Sequence, residues 1–201
     1  MKKIILILVA VGAAQTFCTA QDFDKNLASA RSAYGAGKLA DARFAMEQML
    51  RELDIAIGKE ILKELPAKMG ALSYNQKEDN VTGGTSGGLG LMVHRGFGAA
   101  PKTGSIEVLN NSPLITSLNA MLSTPILGGM MTNEDQKQVK IQGYKSMLTK
   151  NVNSETGKTG YELQIPMNNT LVTLKMDDTT EGEITAAANA IPLAKIAQMA
   201  Q

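Results

Sequence analysis

YELQIPMNNTLVTLKM, residues 161–176, decides the fold. Two runs of alternating character, Gly160–Met167 and Thr170–Met176, flank Asn168-Asn169. Asn tolerates positive φ, so the pair predicts a compact two-residue hairpin. The stretch before it has the same form. Gln138–Gln142 and Tyr144–Asn151 read as strands joined at Gly143, and Asn153 and Gly157 mark the turn that follows. Further upstream, Ala71–Lys77, Leu89–Phe97 and Ser105–Asn110 read as three more strands. Between the two groups, Ser112 as N-cap and Pro113 in the first helical position open a helix. Leu114, Leu118, Met121 and Leu122 are its predicted buried stripe, and Pro125 ends it. A last helix starts near Thr180 and runs through Ile184, Ala187, Ala188 and Ile191, with Pro192 kinking or dividing it. The pattern predicts an α+β domain over residues 66–201, an antiparallel sheet of about seven strands with helices packed on it.

Residues 21–65 have a different texture. Asp22 or Asp24 is placed to cap a helix that runs to about Tyr34, and Gly35-Ala36-Gly37 breaks it. A second helix starts at Leu39. Leu39, Ala42, Met46, Met49, Leu50, Leu53, Ile57 and Ile61 recur at spacings of three and four, which predicts one apolar stripe. Gly58 interrupts it and marks a bend or a close packing contact. Pro66 stops the helix at Leu65. AYGAGKLADARFAMEQML, with Ala30 before it, resembles one hairpin of a tetratricopeptide repeat at Ala30, Tyr34, Gly37, Leu39 and Ala42. An ordinary antiparallel helix pair accounts for the same residues, and no second copy of the motif follows.

The first twenty residues, MKKIILILVAVGAAQTFCTA, read as a secretory signal peptide. Lys2 and Lys3 form the positive region, Ile4–Ala14 the apolar run, and Cys18-Thr19-Ala20 a cleavage site before Gln21. Gln15 and Phe17 do not fit a lipidation motif at Cys18. Cleavage removes the only cysteine, and with it thiolate catalysis, zinc-thiolate sites and disulfides. It also leaves 18 basic against 19 acidic residues, a net charge of −1. No basic field exists to attract nucleic acid or anionic lipid. With 4 Tyr, 4 Phe and no Trp, stacking platforms are scarce. No later apolar run is long enough to span a membrane. The expected location is periplasmic, with no transmembrane segment after cleavage.

Three phrases carry a family resemblance. SIEVLNNSPLITSLNAMLSTPILGG (105–129), KIQGYKSMLTKN (140–151) and YELQIPMNNTLVTLKM resemble segments of small uncharacterised exported bacterial proteins. Over about residues 65–192 the chain is similar in outline to the PsbP-like α+β sandwich. The resemblance implies a fold and an envelope location. It implies no catalytic residues, and the hairpin at 22–65 departs from it.

No motif names a chemistry. His94, the sole histidine, lies in the strand LMVHRGF, where it shares a face with Met92 while Val93 and Arg95 point the other way. TGGTSGGLG (82–90) lacks the Lys and the following helix of a phosphate loop. Met130-Met131 is the only close methionine pair, and core filling accounts for most of the other methionines. Glu134-Asp135, Asp177-Asp178 and Glu181/Glu183 match no calcium-loop spacing. Neither a cofactor nor a metal site is expected. The best candidate for a contact surface is the apolar set Met121, Ile126, Leu127, Met130 and Met131. The expected function is a non-enzymatic binding or assembly module of the cell envelope, with an envelope protein or an apolar ligand as partner. A carrier of lipid or another small apolar ligand is the alternative, and a hydrolase without a recognised motif the second.

Overall fold

The computed structural model describes residues 17–84, 90–123, 135–154 and 156–200. The chain divides into two units, residues 1–53 and 54–201, with the division inside a helix.

In the first unit, α1 (Phe17–Gly35) and the early part of α2 (Leu39–Glu64) form a hairpin. Gly37, at φ 73°, makes the turn, and Lys38 N–H reaches back to the Ala33 carbonyl. Helix α1 is already under way at Phe17, so neither Asp22 nor Asp24 caps it; nothing between Phe17 and Gln21 breaks a helix. The expected cleavage point falls within α1, and the start of the expected signal lies outside the described residues. Ala30, Ala42 and Ala45 are buried, and Asn26 Nδ2 donates to Glu52 Oε1 at 2.8 Å.

The second unit contains the sheet. Its eight described strands are β1 (Lys68–Met69), β2 (Leu72–Thr82), β3 (Met92–Ala99), β4 (Lys102–Asn110), β5 (Gln136–Ile141), β6 (Tyr144–Val152), β7 (Thr159–Met167) and β8 (Thr170–Met176). The seven expected strands are all present. The eighth is β1, too short to show an alternation of its own. All pairings are antiparallel, in the order β1-β2-β3-β4-β8-β7-β6-β5. Two meanders therefore meet along β4 and β8. Strand β8 lies in the middle and is buried on both faces apart from Lys175. Its turn with β7 is the expected one, with Asn168 at φ 50° and Met167 opposite Thr170.

One face of the sheet carries Val93, Phe97, Ile106, Val108, Leu163 and Leu174, all buried in the main core. Ile61 and Leu65 from the end of α2 join it. So do Ile184 and Ala188 of α4 (Glu181–Asn189) and Leu193 and Ile196 of α5 (Leu193–Met199). Pro192 divides the last two helices rather than kinking one. Gly58 marks close packing, since a Cβ there would meet Val81 and Leu91 side chains. Gln142 Nε2 donates to the Ile191 carbonyl at 2.7 Å, tying the β5–β6 turn to the α4–α5 junction.

Helix α3 (Pro113–Ser123) lies against β6 and β7. Its buried residues are Ile115 and Leu122, with Leu118 half-buried, and Leu114 is 57% exposed. The expected stripe holds at Leu122, with Leu118 and Met121 half-buried, and fails at Leu114, where Ile115 is buried instead. Ile115, Leu118 and Leu122 follow i, i+3, i+7, and Leu114 stands about 100° away. Met147 and Leu171 are buried on the sheet face opposite to Leu148 and Val172, outside the main core.

The least expected element is a buried ion pair. Arg95 points into the core face, as alternation places it, and is 8% exposed. Its Nε and Nη2 donate to Asp79 at 3.0 and 2.7 Å, and Nη1 donates to the Leu65 carbonyl at the end of α2 at 3.0 Å. The guanidinium also lies 4.6 Å from the centre of the Tyr74 ring. Asp79 arrives because the β2–β3 register breaks between Asn75 and Asn80. Asp79→Ala is expected to lower unfolding free energy by about 3–5 kcal/mol, because it leaves a buried charge uncompensated. Urea denaturation measures this, and a loss near zero would show that the pair carries no structural burden.

Candidate functional site

The expected contact set is only partly placed. Met121 is half-buried on α3. Ile126, Leu127, Met130 and Met131 lie outside the described residues, as do residues 85–89 of the glycine-rich run. After that run comes strand β3, as read from the sequence, and Gly84 N–H donates to Asp54 Oδ2 at 3.0 Å.

His94 is half-buried beside Met92, opposite Asn80 on β2 and Glu107 on β4. Among the described residues, no group of three His, Cys, Asp or Glu side chains is placed to hold a metal ion. No described helix is long and apolar enough to cross a membrane.

The carboxylates fall at turns and helix starts. Asp178, at φ 46°, is paired with Lys158 at 2.7 Å, and this contact holds its carboxyl below the ordinary range. Thr103 Oγ1 donates to Asp177. Both aspartates line a cleft of about 270 Å3 with Asn151 and Pro101. Glu181 pairs with Lys137 across a cleft of about 100 Å3. Thr180 and Glu183 form a capping box at the start of α4: Thr180 Oγ1 accepts from Glu183 N–H, and Glu183 accepts from Thr180 N–H at 2.8 Å. Glu181, Glu183 and Asp178 are thus engaged in pairing and capping.

Two features are more open. On α2, Leu39, Met46, Leu50 and Leu53 are 64%, 48%, 62% and 49% exposed. The expected continuous stripe is therefore split: Ile57 and Ile61 pack with the sheet, Ala42 is buried in the hairpin, and these four face outward. Periodicity alone does not tell which part of a stripe finds a partner.

The second feature is a cleft of about 670 Å3 where the β4–α3 connection meets the β7–β8 turn. Asn111, Asn119, Asn168 and Asn169 contribute to its lining, with Ser112 and Thr116. Asn111 is at φ 54°, and its N–H donates to the Asn169 carbonyl at 2.8 Å. Gly90 gives this region room, because a Cβ there would stand 3.3 Å from Asn111 Nδ2. In the sequence, Asn168-Asn169 is legible only as a turn signal. The asparagines at 111, 119 and 168–169 are the sign of the cleft that the sequence carries.

No protein-family model, no curated protein and no solved structure matches this chain.

The Glu183 carboxyl is held below its ordinary value of 4.5, first by the Thr180 N–H and then by the Thr179 and Thr180 hydroxyls. A depressed carboxyl contributes stability that is present above its unfolded value and lost as pH falls through the folded one. Acid titration of the folded protein followed by circular dichroism is therefore expected to show a loss of stability below about pH 4.5 that Glu183→Gln reduces. An identical pH profile for the variant would rule out the linkage.

Proposed function

We propose that the protein is a non-enzymatic binding or assembly module of the bacterial cell envelope. In this reading a signal peptide cleaved before Gln21 delivers it to the periplasm, and the outward stripe of α2 makes the contact. The observation that carries the reading is the exposure of Leu39, Met46, Leu50 and Leu53 along one line of a helix. Their spacing of seven, four and three is that of a coiled-coil seam, which another helix covers by inserting side chains between them. An apolar set of this kind marks an interaction surface when it remains in water.

The occupant we propose is an amphipathic helix of another envelope protein. The stripe is bordered by Arg43, paired with Glu47 at 3.0 Å, and by Arg51. Both charge signs flank it, so a partner helix with mixed edge charges fits better than a uniformly charged surface. The PsbP-like assignment also belongs to this reading, supported by an antiparallel sheet with helices against both of its faces. A lipid carrier fits less well, because Ile61, Leu163, Leu174, Ile184 and Ile196 are fully buried between sheet and helices. A hydrolase centred on His94 has only Asn80 and Glu107 opposite it in register.

A photo-crosslinking residue placed singly at positions 43, 46, 47, 50, 51 and 53 in living cells tests the proposal. Adducts with one envelope protein are expected from 46, 50 and 53, and not from 43, 47 and 51. Met46→Glu combined with Leu50→Glu should abolish them while leaving the thermal midpoint unchanged. Uniform labelling, no labelling, or adducts between two copies of this chain each overturn the reading. The mass of the protein recovered from the periplasm should correspond to a chain that begins at Gln21.

A further inference from the structure

We propose that the cleft between α3 and the β7–β8 turn binds neutral, hydroxyl-rich ligands of the saccharide class. Its volume of about 670 Å3 falls within the range of small-molecule sites, roughly 300–1,000 Å3. What sets the class of ligand is the chemistry of the lining. Asn111, Asn119, Asn168 and Asn169, all exposed, line the same space. None of the four makes a side-chain hydrogen bond to another described residue. Each offers two N–H donors and a carbonyl acceptor. Ser112 and Thr116 add hydroxyls. Neighbouring hydroxyls on a sugar ring each donate and accept, and that is the pattern such a set of amides complements.

Other ligand classes fit less well. Among the described residues, no charged side chain lines the cleft, which favours a neutral ligand. Its apolar lining is Pro113 and Ile115, and Ile115 is buried. An apolar ligand would therefore leave the amides without partners. Among the described lining residues there is no aromatic ring to stack a base. Peptides are commonly recognised through strand edges or apolar pockets, and this lining supplies amide side chains instead.

The two walls are fixed before any ligand arrives. Asn111 and Asn168 both have left-handed backbone conformations, and the bond from Asn111 N–H to the Asn169 carbonyl joins the two turns. Groups already held in place lose little freedom on binding. Neutral hydrogen bonds without a stacking ring give weak binding, with a dissociation constant on the order of millimolar.

The test is a titration of the full-length protein, labelled with nitrogen-15, with maltotriose and chitobiose as neutral probes. Digalacturonate and trialanine serve as controls. Saturable shifts of the Asn119 and Asn169 side-chain amide signals are expected with at least one neutral probe. Asn119→Ala and Asn169→Ala should each weaken binding about three- to tenfold, with the backbone spectrum unchanged away from the cleft. Both substitutions leave the main-chain bond to the Asn169 carbonyl in place, so loss of folding is not expected. No saturable shift with either sugar overturns the proposal, as does an equal response to digalacturonate or trialanine.

Discussion

Strand alternation gives Arg95 no choice of face. It stands between Val93 and Phe97, on the side of the sheet that the helices cover. A guanidinium is tolerated there only with a full set of acceptors around it. Three separate parts of the unit supply them. Strand β2 accommodates extra residues opposite β3 so that Asp79 arrives in a bidentate position. Helix α2 ends where the Leu65 carbonyl can accept, which also sets a positive charge against the negative end of the helix. Tyr74, just before the register break, brings its ring alongside the cation. The end of the helix, the irregularity of β2 and the ring of Tyr74 thus meet at one buried charge.

That constraint also explains what could be read in advance and what could not. The strands and their turns were legible because they depend on local chemistry: period-two alternation, Asn168-Asn169, Gly143, and the Ser112-Pro113 helix start. The inward direction of Arg95 was legible as well, since alternation sets it opposite to His94. Its partner was not, because Asp79 meets it through a register break that leaves no mark in hydropathy. The outward position of Leu114 on α3 was not legible for a related reason. Leu114, Ile115, Leu118, Met121 and Leu122 cover an arc of about 120° of the helix, wide enough for the buried stripe to start at Leu114 or at Ile115. Only the position of β6 and β7 decides between them.

Helix α2 shows the same limit at larger scale. Its apolar residues form one stripe by periodicity, yet the stripe divides into parts with different fates. Ile57 and Ile61 reach the sheet core, while Leu39, Met46, Leu50 and Leu53 remain in water. The amide cleft lies at the other extreme of character. Each of its asparagines has a sufficient local explanation in a turn or on a helix surface, and only the fold brings them to one place. A search for chemical motifs along the chain passes over a site assembled from turn residues.

The meeting of the two meanders along β4 and β8 has a consequence for how the molecule reaches its structure. Most of the pairing is between neighbours in sequence, and contacts of that kind form quickly. The β4–β8 seam is different, because its register sets Asn110 against Thr170 across about 60 residues. Closing a loop of that length costs about 2 kcal/mol more than closing a tight hairpin, since each doubling adds roughly 0.6 kcal/mol. Until the seam closes, β4 and β8 present unpaired backbone edges beside Ile106, Val108, Val172 and Leu174. The strands at the centre of the finished sheet are therefore the ones at greatest risk of pairing with another chain while folding is incomplete.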